Sequence, residues 1–194
     1  EQMHAGAQYN LGKVYQTGQG IKQDNNKAAK WYRKAAEQGY APAQLSLGLM
    51  YKKGDGVTKN HKEALKWHRK AADSGLPLAQ YNLGLMYRHR KDLGFMYKQE
   101  KGLGVNQGKK EAVKWYSKAA LQGLAKAQNN LGVMYAKGEG VSQDKKEAVK
   151  WYRKAAEQGY APAQVNLGLM YYTGDAVIKD NIYAHMWWNI SAST

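Results

Sequence analysis

The chain contains no cysteine, three prolines and a single phenylalanine, and it carries half as many acidic as basic side chains. The absence of cysteine excludes a disulfide scaffold, cysteine-ligated zinc and thiol catalysis together. No run of about 20 apolar residues occurs, so the sequence offers no transmembrane helix. It also has no initiator methionine and no signal-peptide pattern, and we expect a mature or trimmed form. Disorder is excluded as the main state, because 43% of the residues are hydrophobic and can build a core. What is abundant is skewed. There are 15 Tyr, 6 Trp and 21 Gly among 194 residues, and 30 Lys+Arg against 15 Asp+Glu leave a formal charge of +15. A bias this sharp suggests one unit copied several times.

The copies are directly visible. Trp-Tyr-Arg-Lys-Ala-Ala-Glu-Gln-Gly-Tyr-Ala-Pro-Ala-Gln occurs at 31–44 and again, unchanged, at 151–164. Leu-Gly-x-x-Tyr recurs from Leu11, Leu47, Leu83, Leu131 and Leu167, with spacings of 36, 36, 48 and 36. The units are 5–40, 41–76, 77–124, 125–160 and 161–194, the last incomplete. Nothing is left over for a second domain, so we expect one domain over 1–194.

Each unit reads as two helices. In the second copy, Ala43, Gln44, Leu47, Gly48 and Tyr51 fall on one helical face. A Gly-x-Gly pair follows: Gly18/Gly20, Gly54/Gly56 and Gly138/Gly140. The second helix opens at a capping residue, namely Asp24, Asn60, Asp144 or Asp180. Its inner stripe is Ala64, Trp67, His68, Ala71 and Ala72, with i, i+3, i+4, i+7 and i+8 spacing. Trp31, Trp67, Trp115, Trp151 and Trp187 form a column that we read as core. Gly39, Gly75, Gly123 and Gly159 end the helix in left-handed conformation. One hairpin cannot bury both faces, whereas stacked hairpins can, so the expected fold is all-α, an α-solenoid of tandem antiparallel helix hairpins.

The pattern Ala-x-Ala-Gln-x-x-Leu-Gly-x-x-Tyr-x-x-Gly-x-Gly-Val, then Asp-x-x-x-Ala-x-x-Trp-Tyr-x-x-Ala-Ala-x-x-Gly, resembles the Sel1-like repeat over essentially the whole chain. That family is related to the tetratricopeptide repeat (TPR). The resemblance implies a right-handed, TPR-like superhelix. It also implies a non-catalytic scaffold or adaptor for protein–protein interaction, as in complex assembly, signalling, membrane quality control and bacterial–host contact. Near-identical tandem copies resemble bacterial members. We expect a periplasmic or secreted compartment rather than the cytoplasm, although lack of cysteine suits either.

Two places depart from the repeat. The third copy is lengthened by 12 residues around 88–101. Arg88-His89-Arg90-Lys91-Asp92 and a second Leu93-Gly94-Phe95-Met96-Tyr97 follow Tyr87 there. Ten residues along a helix turn it through about 1000°, some 80° short of whole turns. We therefore expect either a longer first helix with a twisted end or a break near Asp92. The plain reading is a duplication scar in a loop; the sharper one makes Arg88, Arg90 and Lys91 a basic contact. The second departure is in the last copy, where Ile182, Met186 and Ile190 replace the outward lysines of earlier copies. Terminal repeats normally have polar outer faces, so we expect either that the protein continues beyond Thr194, the simpler account, or that this ridge docks on something.

Two surfaces could bind. In TPR-like solenoids the first helix lines the concave face. Here that face carries Tyr9, Asn10 and Lys13; Leu45, Ser46 and Leu49; Tyr81, Asn82 and Leu85; Asn129, Asn130 and Val133; Val165, Asn166 and Leu169. Apolar side chains beside asparagine amides suit a protein or peptide partner. The other surface is a basic ladder on the second helix: Lys30, Arg33, Lys34; Lys62, Lys66, Arg69, Lys70; Lys110, Lys114, Lys118; Lys146, Lys150, Arg153, Lys154. We place it opposite the tryptophan stripe. It would steer acidic partners, or bind a polyanion or an anionic membrane surface. Nucleic acid is not expected, since aromatics are not interleaved with these cations.

Chemistry is sparse. His4, His61, His68, His89 and His185 fall in different units without metal-ligand spacing, so no metal and no cofactor are expected. Gly102-x-Gly104-x-x-x-Gly108-Lys109 lacks the spacing of phosphate loops and reads as a turn. Ser142-x-x-Lys145 matches a nucleophile motif of penicillin-interacting enzymes, but its companion motifs are missing. A cell-wall hydrolase is the third reading, and we assign no catalytic residue.

Overall fold

The computed structural model describes residues 4–89 and 105–193 of the chain. Among them are ten helices and no strand. The all-α arrangement of tandem helix hairpins expected from the repeat is what the chain forms. The helices are α1 (Ala5–Thr17), α2 (Asn25–Glu37), α3 (Ala41–Lys53), α4 (His61–Asp73), α5 (Pro77–Arg88), α6 (Val105–Leu121), α7 (Ala125–Lys137), α8 (Lys145–Ala156), α9 (Ala161–Thr173) and α10 (Asn181–Ala192). The chain divides into two compact units, Glu1–Glu100 and Lys101–Thr194. The first holds the hairpins α1–α2 and α3–α4, followed by α5. The second holds α6, then the hairpins α7–α8 and α9–α10.

The helix starts follow the sequence chemistry. Asp24 Oδ1 accepts from the Lys27 amide at 2.9 Å, Asn60 Oδ1 from the Lys62 and Glu63 amides, Asp144 Oδ1 from Glu147 and Asp180 Oδ1 from Tyr183. Each such cap is worth about 1 kcal/mol. The third copy breaks this rule, because Gly108 stands in the capping slot. Helix α6 runs through it, starting at Val105 and extending over 17 residues. Gly108 and Lys109 are therefore helical, where the sequence suggested a turn.

The core of each hairpin is built from small residues and one aromatic. Ala28, Tyr32, Ala35, Ala43 and Leu47 are fully buried in the first unit. In the second unit, Ala148, Val149, Tyr152, Ala155, Leu167, Met170 and Trp187 form one cluster. Trp67, Trp115, Trp151 and Trp187 are buried, while Trp31 is half-buried. The glycine of Leu-Gly-x-x-Tyr has a steric cause. A Cβ on Gly132 would stand 2.7 Å from the Tyr152 ring, and one on Gly12 would stand 2.6 Å from Tyr32. The bare Cα lets the aromatic of the second helix lie directly on the first.

Candidate partner-binding surface

Successive helices are joined by polar rungs. Gln44 Nε2 donates to the Ala36 carbonyl at 3.1 Å, Gln80 to Ala72 at 3.2 Å, Gln128 to Ala120 at 3.1 Å and Gln164 to Ala156 at 3.2 Å. Each buried amide thus satisfies a carbonyl at the end of the preceding helix. A second rung is an arginine–tyrosine bond. Arg69 donates to Tyr87 Oη at 2.6 Å and Arg153 to Tyr171 Oη at 2.7 Å, and Arg33 donates to Tyr51 in the same way. These rungs fix which side chains remain on the surface.

The candidate residues on the first helices divide by exposure. On α1, Tyr9 is half-buried, its ring centroid 5.5 Å from that of Tyr32 and 5.3 Å from that of Tyr40, while Asn10 and Lys13 are exposed. Leu45 of α3 and Asn129 of α7 are each only 7% exposed. Ser46 and Leu49 on α3, Tyr81, Asn82 and Leu85 on α5, and Asn130 and Val133 on α7 are half-buried. On α9, Asn166 is half-buried, while Val165 and Leu169 are 47% and 50% exposed. Asn166 Nδ2 donates to Asn129 Oδ1 at 2.9 Å. This pair of the asparagine ladder therefore bonds across two helices of the second unit. Arg88 closes α5 and is half-buried; Arg90 and Lys91, like the break considered near Asp92, lie outside the described residues.

The basic ladder has a different environment from the one the sequence suggested. Its lysines do not stand apart from the tryptophans. Lys34 Nζ lies 4.5 Å from the centroid of the Trp31 ring, Lys70 4.9 Å from Trp67, Lys118 4.4 Å from Trp115 and Lys154 4.6 Å from Trp151. A spacing of three places each ammonium over the indole ring, a cation–π contact. Lys66 pairs with Glu63 at 3.4 Å, Lys114 with Glu111 at 3.9 Å and Lys150 with Glu147 at 2.8 Å. The Glu147 carboxylate holds the Lys150 ammonium above its ordinary pKa. Much of the ladder thus touches the tryptophans or its own acids while staying exposed.

The chemical candidates resolve similarly. No group of three potential metal ligands occurs among the described residues. His68 is fully buried, and burial pushes its imidazole down to about 4, with the Lys52 charge adding to the shift. A Cβ on Gly48 would stand 3.1 Å from that ring, so His68 fills the slot that Tyr32 and Tyr152 take elsewhere. Ser142 is exposed, and Lys145 Nζ is bound to Asp175 Oδ1 at 2.7 Å rather than to the serine. That contact also holds the Asp175 carboxyl below its ordinary range.

Comparison with known proteins agrees with this architecture. The profile of a family described as Sel1 repeat matches residues 5–40, 41–76, 77–124, 125–160 and 161–193. A Sel1 repeat protein from Oxalobacter formigenes is 36% identical and superposes with a TM-score of 0.85, over 97% of this chain and 73% of that one. A protective antigen of uropathogenic Escherichia coli displaying an SLR fold is also 36% identical, with a TM-score of 0.52 over 98% of this chain and 46% of that one. An immunity protein from Pseudomonas aeruginosa, PA5088, is 25% identical, with a TM-score of 0.58 over 98% of this chain and 65% of that one. No curated protein matches.

Proposed function

Because the chain belongs to the Sel1 repeat family, whose members are generally non-catalytic protein–protein interaction scaffolds, we propose that it holds a protein or peptide partner on the first-helix faces of its units. The observation that carries this reading is a contrast between the two candidate surfaces. On the second helices, arginines bond tyrosines and lysines lie over tryptophans or beside glutamates. On the first helices, Leu169 is half exposed, and Leu49, Leu85, Asn82 and Asn130 are partly open. Apolar side chains beside amides offer a partner both contact area and hydrogen bonds. A chain charge of +15 would speed the approach of acidic partners without supplying the specific contacts.

The test is capture of a partner by the purified protein and by an Asn82→Ala/Asn130→Ala variant, with folding followed by circular dichroism. Weakened capture at unchanged helicity supports the reading. Unchanged capture contradicts it. Binding through the basic ladder would instead fall steeply with salt.

A further inference from the structure

One row of positions recurs on every second helix: Asn26, Lys30 and Lys34 on α2; Lys62, Lys66 and Lys70 on α4; Lys110, Lys114 and Lys118 on α6; Lys146, Lys150 and Lys154 on α8. All twelve are exposed. On α10 the same three slots hold Ile182, Met186 and Ile190, which are 85%, 37% and 39% exposed. They line a shallow groove with Asn181, His185 and Asn189. Helix α10 contains no Asp, Glu, Lys or Arg, in a chain of net charge +15. Just ahead of it, Ile178 is 90% exposed.

Stacking does not account for this ridge. On α8 the corresponding lysines stay in solvent although the α9–α10 hairpin follows and shares one buried cluster with that helix, Trp187 and Val149 among its members. A further hairpin placed after α10 would leave Ile182, Met186 and Ile190 open in the same manner. Repeat stacking therefore supplies no cover for the ridge. A second copy docking α10 on α10 would bring two lysine rows of α8 toward each other. A peptide helix lays its apolar face into a hydrophobic groove, and here the shallow groove is lined by residues of α10 alone. An apolar ridge about 12 Å long, with exposed lysines at the equivalent positions of the preceding second helix, matches what a lipid boundary requires.

We propose that α10 is a docking element for an anionic lipid surface. Ile182, Met186 and Ile190 enter the boundary between headgroups and acyl chains, and Lys146, Lys150 and Lys154 meet the lipid phosphates. The exposed Lys150 and Lys154 exchange their weak surface contacts with Glu147 and Trp151 for these phosphates. This contact is separate from partner capture on the first helices, and either can fail without the other.

The test is co-sedimentation with vesicles of phosphatidylcholine and phosphatidylglycerol at roughly 7:3, against vesicles of phosphatidylcholine alone. The protein should sediment with the mixed vesicles, at least tenfold more tightly than with the neutral ones. An Ile182→Asn/Met186→Gln/Ile190→Gln variant keeps the charge unchanged and places polar residues at exposed positions. It should bind the mixed vesicles about tenfold more weakly at unchanged helicity. A milder Ile182→Asn variant, at the most exposed of the three, should weaken binding severalfold. Absence of binding to the mixed vesicles overturns the proposal. So does equal binding by the triple variant, which would assign any attraction to the lysines alone. A vesicle-free dimer abolished by the triple variant would assign the ridge to a second copy and overturn it too.

Discussion

Gln38 Nε2 donates to Gln8 Oε1 at 2.7 Å, and thirty residues separate them. Gln158 and Gln128 repeat the bond at 2.7 Å with the same separation. The equivalent partner of Gln44 is Ser74, whose side chain turns back to the Lys70 carbonyl at 3.0 Å, and Gln44 Oε1 is left buried without a hydrogen bond. The backbone of Ser74 (φ −73°, ψ 4°) nearly coincides with that of Gln38 (φ −80°, ψ 5°). Ser74→Gln should therefore supply the missing donor and stabilise the protein by about 1 kcal/mol, while Gln38→Ser should destabilise it by a similar amount. Denaturant titration of the two variants checks both signs; a destabilising Ser74→Gln would show that the rung is incidental.

His68 makes stability depend on pH. The folded state holds its pKa near 4, against an ordinary 6.5 in the unfolded chain. Below pH 6.5 the unfolded state takes up a proton that the folded state refuses. The contribution of neutral His68 is thus complete above about pH 6.5, and it is lost as pH falls toward about 4. On the order of 2 kcal/mol should disappear between pH 7 and pH 5. His68→Tyr restores the residue found at 32, 116 and 152 and should flatten that slope. Thermal melts at the two pH values read the difference.

Gly132→Ala should destabilise by about 1–3 kcal/mol, since its new methyl would press on the Tyr152 ring and stand 3.2 Å from the Ala148 carbonyl. Pairing it with Tyr152→Leu should recover part of the loss in a double-mutant cycle. Additive losses would mean that the close approach does not set the cost.

The tryptophan column is uneven. Trp151 is buried and Trp31 half-buried. Trp151→Ala should cost roughly 3–5 kcal/mol and Trp31→Ala clearly less. Chemical denaturation measured side by side decides; equal losses would contradict the burial difference.

The hairpins, their caps and their Ala/Trp stripes were legible in the sequence because each depends on periodicity within a single helix. Asp24, Asn60, Asp144 and Asp180 all cap as their spacing predicts. The rungs were not legible. Arg153–Tyr171, Gln38–Gln8 and Asn166–Asn129 join residues 18, 30 and 37 positions apart, and those offsets follow from stacking rather than from helical period. The one available signal was co-occurrence: Arg33, Arg69 and Arg153 each precede a tyrosine by 18, whereas Ser117 precedes Tyr135 and breaks the series. The same limitation placed the lysines opposite the tryptophans. A helical wheel gives a side chain's direction, but it does not show a long lysine stem folding back over a neighbouring ring. Burial of Leu45 and Asn129 on the binding-face helices likewise depends on stacked neighbours that no single-helix pattern specifies.

Whether partners dock on the first helices is tested most directly by photocrosslinking from two positions in otherwise identical proteins. A benzophenone side chain is placed at Leu169 on α9 in one and at Lys150 on α8 in the other. The account predicts a protein adduct from position 169 and none from position 150. Adducts from position 150 alone would contradict it.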